Sequence, residues 1–158
     1  MTLSEIREEY VAAISKKPYS FWIELLGCIL IVGPFAIFFG GGLADAIVGI
    51  FVGICVKLMQ VSLEKILPNK IFSKFLGAFL CCSLSAFAVK LNYISSIDYV
   101  VIGNIMTLIP GIGFTNAIRD LFTGDSMTGI LRFIEAILTA LAIAAGYFLY
   151  VSTIGGIL

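Results

Sequence analysis

Five long apolar runs follow one another along the chain, and short polar or glycine-rich connections separate them. Each run is close to the roughly 20 residues that an α-helix needs to cross about 30 Å of hydrocarbon. The pattern therefore predicts an all-α integral membrane fold with five transmembrane helices. The predicted spans cover approximately residues 21–39, 43–60, 71–89, 97–113 and 129–153.

The composition agrees with this pattern. Of the 158 residues, 60% are hydrophobic and only 13% are charged, whereas globular proteins contain about 25% charged residues. The lipid bilayer is thus the solvent of most of the chain, and we expect a multi-pass protein of the cell membrane. The formal net charge is zero, so nothing indicates binding to nucleic acid.

The first 20 residues differ from the rest of the chain. They form a short polar, amphipathic segment that ends near Pro18, because proline does not continue a helix. No small-residue cleavage site follows the first apolar run, so we expect that run to be retained. The sequence therefore predicts a cytoplasmic segment at residues 1–20 and a five-span membrane domain at residues 21–158.

The basic residues predict the orientation of these spans. Of the ten lysines and arginines, only Lys90 lies in the first or third connection. The other nine fall on one side of the membrane, which the positive-inside rule makes the cytoplasmic side. We therefore expect the N-terminus inside and the C-terminus outside. The nine residues are Arg7, Lys16, Lys17, Lys57, Lys65, Lys70, Lys74, Arg119 and Arg132.

A run of three glycines at residues 40–42 joins the first two predicted spans and has the backbone freedom that a tight helical hairpin needs. Asp45, Gly49 and Gly53 follow at a spacing of four residues, which predicts a face of small residues for close helix packing. Asp45 has two interpretations. It either caps the start of a helix or takes part in transport as a carboxylate.

The fourth predicted span contains a break. From Ile97 to Ile109 a helix would cover only about 20 Å, and Pro110 and Gly111 come directly after it. Broken backbone at membrane depth persists only where protein or a watery cavity satisfies its polar groups. The sequence predicts an interrupted helix at this point, and a kinked but continuous span is the alternative.

A short amphipathic helix is predicted after this break, with polar residues on one side and apolar residues on the other. An ordinary cytoplasmic hairpin with a surface pair of Arg119 and Asp120 is the alternative explanation. The polar side consists of Asn116, Arg119, Asp120 and Thr123.

The last predicted span carries charges within an apolar run. Gly124 is a predicted helix stop, and Asp125 or Ser126 a predicted N-cap. Glu135 comes about ten residues, or about 15 Å, after this cap, which predicts a position near the bilayer midplane. A charge there costs at least ~2.5 kcal/mol. Arg132 is the expected partner one turn earlier, and the pair either holds helices together or lines a path for substrate.

The four cysteines lie inside apolar runs, and the sequence contains no histidine. We therefore expect the cysteines to pack as small hydrophobic residues, without a metal site or a cofactor. The absence of histidine also excludes a serine–histidine protease, and we expect no enzymatic activity. The cysteines are Cys28, Cys55, Cys81 and Cys82.

A longer motif surrounds the predicted break. It comprises PGIGFTNAIRDL at residues 110–121, then Gly124, Asp125, Gly129, Arg132, Glu135 and Ala136, with Phe39-Gly40-Gly41-Gly42, Asp45, Ala46 and Gly49 ahead of it. On these residues the chain resembles the threonine/serine exporter family, specifically its YjjP-like half. The resemblance implies a membrane subunit that exports small polar metabolites, either threonine and serine or a dicarboxylate such as succinate. A non-transporting scaffold that stabilises a partner is the alternative function.

The resemblance also implies a second, YjjB-like five-span subunit, and a second copy of this chain is the alternative partner. We expect Arg132 and Glu135 to line the substrate path. We expect Arg119, with Asn116, to bind a substrate carboxylate at the inner mouth, because arginine binds carboxylates bidentately. The full set of predicted substrate-binding or translocation residues is Asp45, Pro110, Gly111, Thr115, Asn116, Arg119, Asp120, Asp125, Arg132 and Glu135.

Overall fold

The computed structural model describes residues 20–67 and 69–155, together with Arg7 and Tyr10. The segment predicted at residues 1–20 therefore lies almost entirely outside the described residues. Within the described part of the chain all regular structure is α-helical. The helices are α1 (Phe21–Phe38), α2 (Leu43–Ile66), α3 (Lys70–Lys90), α4 (Asp98–Leu108), α5 (Gly111–Phe122) and α6 (Ser126–Thr153).

Four of these helices, α1, α2, α3 and α6, are long and apolar enough to cross a membrane. Helices α4 and α5 are each too short to cross alone, and the chain bends by 47° at the break between them. Counting this bent pair as one span gives up to five spans, as the hydrophobic pattern predicts. The interruption predicted at Pro110 and Gly111 is confirmed, whereas the orientation of the termini stays a prediction.

The helices pack in one bundle. Helix α2 contacts α1, α3 and α4, while α6 packs along α3 and α5. Helices α5 and α6 form an antiparallel hairpin, in which the ring centroids of Phe114 and Phe133 are 5.4 Å apart. Gly129 of α6 lies against Leu121 of α5, since an added Cβ would be 2.8 Å from Leu121 Cγ. This hairpin holds the C-terminal half of the broken span against the last helix.

Small side chains fill the interior of the bundle, while many large apolar side chains lie on its surface. Ala78, Cys81, Cys82 and Val100 are completely buried, so Cys81 and Cys82 pack as small hydrophobic residues, as predicted. Small residues let helix backbones approach closely, and lipid imposes no penalty on exposed apolar side chains. The exposed large side chains include Trp22, Phe38, Phe51, Phe122 and Phe148.

The small-residue face of α2 packs inside this bundle. Gly49 and Gly53 are buried against Val32 of α1, and a Cβ on Gly53 would be only 2.8 Å from Asn104 Oδ1 of α4. Asn104 Nδ2 in turn donates to Gly49 O at 3.1 Å and to Val100 O at 2.9 Å. The predicted close-packing face is thus confirmed, but it serves contacts within the chain and leaves no free face for a partner.

Candidate functional site

The break between α4 and α5 follows from the chemistry of Pro110. Proline lacks an N–H group and disfavours helical backbone at the residue before it, and Ile109 is accordingly extended, with φ −63° and ψ 132°. Gly111 N donates to Ile109 O at 2.9 Å, which turns the chain into α5. The break therefore follows directly on Leu108, which is buried, whereas Ile109 and Gly111 on either side of Pro110 are exposed.

Two cavities open at this break. The first cavity has a volume of about 610 Å³ and lies between α1, α2, α3 and the break. The second cavity has a volume of about 320 Å³ and lies between α3, α5 and α6. Both volumes fall in the range of about 300–1,000 Å³ that is usual for small-molecule sites. Lys74, Pro110 and Gly113 line both cavities, so the two meet at the break.

Charged and polar side chains face the first cavity. Lys57 Nζ lies 2.8 Å from Glu24 Oε2, and Gln60 and Lys74 line the same wall. None of these four residues is among the predicted site residues, because the sequence pattern related Lys57 and Lys74 only to the orientation of the spans. The signal was present in the sequence: Glu24 lies four residues inside the first predicted apolar run, where a charge needs a partner.

The second cavity contains the predicted pair of charges on α6, but their pairing differs from the prediction. Arg132 Nη1 bonds Asp120 Oδ2 of α5 at 2.6 Å, so the predicted intrahelical pair with Glu135 is wrong. Arg132 reaches across the hairpin because α5 packs directly against this part of α6. Among the described residues Glu135 has no cation within 4 Å, and it lines the cavity together with Lys70 and Lys74.

A comparison with known protein families shows to which family the chain belongs. The family model of the threonine/serine exporters, ThrE, matches residues 1–154. The chain belongs to the threonine/serine exporter family. A threonine/serine exporter of Corynebacterium glutamicum is 23% identical over 151 residues, which cover 92% of this chain and 31% of that protein. The chain thus spans less than a third of this relative's length, and no solved structure matches it significantly.

Family membership and the apolar helices together identify a multi-pass membrane protein. The motif on which the resemblance was based runs through the break and into the second cavity. Pro110, Asn116, Arg132 and Glu135 of this exporter-family chain all line that cavity, and Gly111 lines the first cavity. Residues far apart in sequence are therefore brought together around the broken span.

The height of Glu135 along the bundle follows from the contacts between α3 and α6, while its depth in the membrane stays a prediction. Helices α3 and α6 run in the same direction, and an added Cβ on Gly146 would clash with the Phe75 carbonyl oxygen. Glu135 precedes Gly146 by about 16 Å of helix, whereas Lys70 precedes Phe75 by only about 8 Å. Glu135 therefore lies at or beyond the level where α3 begins, at one end of the bundle.

Two other predicted residues have structural roles in helix ends. Asp45 Oδ2 accepts a hydrogen bond from Gly42 N at 2.7 Å and so caps the start of α2. Asp125 caps α6, since its Oδ1 accepts from Thr128 N at 3.4 Å, and Gly124 before it has φ +91°. Asp45 lines neither cavity and lies about 18 Å along α2 from Lys57.

The remaining predicted residues lie on α5. Asn116 faces the second cavity, while Asp120 serves as the partner of Arg132. Arg119 is exposed and lines neither cavity, so Arg119 and Asn116 do not face a common cavity. Thr115 Oγ1 donates to Gly111 O at 3.0 Å, a bond within the helix. The cations that line the two cavities are therefore Lys57, Lys70, Lys74 and Arg132.

Proposed function

We propose that this chain is a membrane subunit of an exporter for small polar metabolites that carry a carboxylate, and that substrate passes through the two cavities at the break. The observation that carries the proposal is the meeting of both cavities at Pro110, Gly113 and Lys74. Interrupted helices are tolerated at membrane depth where they line a cavity, and transporters bind substrates at such points. Membership of the exporter family supports the same function.

The charges that line the cavities support a substrate with a carboxylate. Four cationic side chains line the two cavities, against two carboxylates. Positive charge in a shielded cleft favours a negatively charged ligand, and threonine, serine and succinate all carry a carboxylate. The cations are Lys57, Lys70, Lys74 and Arg132, and the carboxylates are Glu24 and Glu135.

Within this proposal the second cavity is the mouth of the path. Arg132 is held by Asp120 at 2.6 Å, which fixes its guanidinium group at the cavity wall, and Glu135 supplies a carboxylate on the same helix. Asn116 adds an amide from α5. Arg119 lies on the exposed face of α5, where its role is to attract anions toward the mouth rather than to bind them in the cavity.

A second membrane subunit completes the proposed exporter. The chain corresponds to 31% of the length of its Corynebacterium glutamicum relative, and large apolar side chains cover much of the outer surface of α1 and α6. A second, YjjB-like five-span unit fits both observations. A scaffold without transport activity of its own is the alternative, because most of the relative's length lies outside the match.

Reconstitution tests these proposals. The chain is purified alone and together with the YjjB-like subunit, inserted into lipid vesicles loaded with radiolabelled threonine, serine or succinate, and assayed for efflux. We expect efflux from vesicles with both subunits. Efflux by this chain alone at the same rate would contradict the need for a partner. No efflux of any of the three substrates in either preparation would contradict the exporter proposal.

A further inference from the structure

Glu24 of α1 and Lys57 of α2 form an ion pair on the wall of the first cavity. Lys57 Nζ lies 2.8 Å from Glu24 Oε2, and the two side chains are 26% and 41% exposed, respectively. The pair is thus formed but not enclosed. Both of its charges are therefore accessible to a small molecule in the cavity.

This pair has capacity for further partners. A carboxylate offers about four lone-pair sites and an ammonium group donates three hydrogen bonds, so neither group saturates the other. Among the described residues no second cation lies within 4 Å of the Glu24 carboxylate, and no second carboxylate lies within 4 Å of Lys57 Nζ. Each member of the pair can therefore bind a neighbour of opposite charge and keep its present partner.

The charges around the pair define what the first cavity can hold. Glu24 is the one carboxylate among the described residues that line this cavity, and Lys57 and Lys74 are its two cations. Lys74 is half-buried and has no carboxylate within 4 Å in the described structure. The two lysines attract any ligand that carries a carboxylate. Recognition of a positive group on such a ligand therefore depends on Glu24.

An α-amino acid matches this arrangement. Its ammonium and carboxylate groups are attached to the same carbon atom, so its opposite charges lie side by side, as those of Glu24 and Lys57 do. Placed antiparallel to the pair, the ammonium group contacts Glu24 and the carboxylate contacts Lys57, and each charge then has two opposite neighbours. Succinate has no ammonium group, and a carboxylate beside Glu24 is repelled.

We propose that the Glu24–Lys57 pair binds the charged groups of an α-amino acid in the first cavity, and that Glu24 determines specificity by accepting hydrogen bonds from the ammonium group. Lys57 binds the carboxylate, and Lys74 adds positive charge in the same cavity. This inference rests on the proposed export of metabolites that carry a carboxylate, and it narrows that class to α-amino acids. Threonine and serine are then ligands of the first cavity, whereas succinate is disfavoured.

Ligand binding tests this assignment separately from transport. Radiolabelled threonine is equilibrated with the purified full chain in lipid nanodiscs, both alone and together with the YjjB-like subunit, and serine, succinate or β-hydroxybutyrate is added as competitor. β-Hydroxybutyrate keeps the carboxylate and hydroxyl groups of threonine but lacks its ammonium group. We expect serine to compete well. Succinate and β-hydroxybutyrate should compete about tenfold more weakly or worse, as loss of a hydrogen bond to a charged group predicts.

Glu24→Gln tests the residue itself. We expect this variant to bind threonine about tenfold more weakly or worse. Its binding of radiolabelled succinate should be unchanged or stronger, because a negative charge has left the cavity. Glu64→Gln is the matched control, since Glu64 is exposed on α2 and lines neither cavity.

A double variant covers the case in which Glu24→Gln does not fold. Glu24→Gln combined with Lys57→Gln leaves no unpaired charge behind, and such replacement of both partners is usually tolerated better than removal of one. We expect the double variant to lose the preference for threonine over β-hydroxybutyrate.

Several results would overturn the proposal. Wild-type affinity for threonine in Glu24→Gln is one of them. Equal weakening of threonine and succinate binding is another, because it indicates a pair that only holds α1 against α2. Competition by β-hydroxybutyrate as strong as that of threonine itself, or absence of threonine and serine binding to the wild-type chain in both preparations, overturns the proposal as well.

The two proposals fail in different ways. If Glu24→Gln binds threonine as the wild type does and vesicles with both subunits release substrate, the amino-acid site falls and the exporter function stands. If the preference for threonine depends on Glu24 but vesicles with both subunits release no substrate, the exporter function falls and the amino-acid site stands.

Discussion

Polar residues of this membrane bundle differ in whether neighbouring groups provide partners for their hydrogen bonds and charges. Asn104 is 1% exposed, and its amide nitrogen donates to carbonyl oxygens of α2 and α4, so it holds α4 against α2, although its Oδ1 has no partner among the described residues. Such bonds between membrane helices contribute about 0.6 kcal/mol on average. Glu135 differs, because it faces a cavity with no cation within 4 Å in the described structure. Glu135 is therefore a better candidate for a role in transport than for a role in stability.

Glu135→Gln tests this distinction. The substitution keeps the shape of the side chain and leaves no ion-pair partner behind, so we expect normal abundance in the membrane. Export should slow about tenfold if the charge lowers the barrier by about 1.4 kcal/mol. Quantitative blotting of membranes and vesicle efflux measure the two quantities. Glu64→Gln is the control, since Glu64 is exposed on α2 and lines neither cavity.

If Glu135 instead stabilises the bundle, we expect Glu135→Gln to lower the amount of protein in the membrane while export per molecule stays normal. Arg132→Gln is the informative comparison, because it leaves Asp120 without its partner at 2.6 Å. Normal abundance and normal export in both Glu135→Gln and Arg132→Gln would eliminate the second cavity as part of the path.

At the scale of helices, backbone contacts at glycines fix how closely the elements pack. Gly146 lets α6 approach the Phe75 carbonyl oxygen of α3, and Gly103 lets α4 approach Val32 O of α1, which would be 2.8 Å from an added Cβ. The neighbouring atoms belong to the backbone and not to flexible side chains. The helices must therefore move apart if either glycine gains a side chain.

Gly146→Ala should consequently destabilise the bundle by about 1–3 kcal/mol, the usual cost of overpacking. The matched control is Gly27→Ala on α1, where an added Cβ meets no atom within 4 Å. Thermal unfolding of the two purified variants in detergent measures the difference. Equal melting temperatures for both variants would mean that α3 and α6 are not packed as closely as described.

The break between α4 and α5 makes a second prediction at this scale. Pro110→Ala restores an N–H group and removes the ring that keeps Ile109 extended, so α4 and α5 should become more nearly continuous and the cavities should shrink. We expect export to fall with little change in abundance. Pro34→Ala is the control, because Pro34 lies inside α1 without interrupting it. Equal export by both variants would indicate that the break is not needed for transport.

At the scale of the whole molecule, the number of spans determines where the termini lie. With the broken pair counted as one crossing the chain has up to five spans, and an odd number places the two ends on opposite sides. The large exposed side chains of α1 and α6 then face lipid or a second subunit. Neither surface needs polar cover, since the surroundings of a membrane span are apolar.

Reporter fusions test the predicted topology. The nine-to-one distribution of basic residues predicts that residue 66, at the end of α2, lies in the cytoplasm and that residue 158 lies outside. A reporter that is active only in the cytoplasm should give a signal at residue 66 and none at residue 158. A cytoplasmic signal at residue 158 would rule out five crossings with the N-terminus inside.

The sequence by itself determined the helices and the break. Apolar runs of membrane-spanning length leave a backbone no alternative to helix in lipid, because every N–H and C=O group must be satisfied internally. Pro110 and Gly111 together favour an interruption of the fourth span, and Asp45 and Asp125 cap helices that begin beside them. These features depend on residues close together in the chain, so a local pattern was sufficient to predict them.

The tertiary structure alone decided which polar groups meet. The sequence favoured Arg132 with Glu135, one turn apart, but packing of α5 against α6 brings Asp120 within 2.6 Å of Arg132. Lys57 and Lys74 were predicted only as orientation signals, yet helix packing directs them into the first cavity with Glu24 and Gln60. Hydrophobicity fixes how long a helix is but not how it is rotated, and rotation is set by glycine contacts between distant residues. The candidate site is therefore a product of packing rather than of the local sequence.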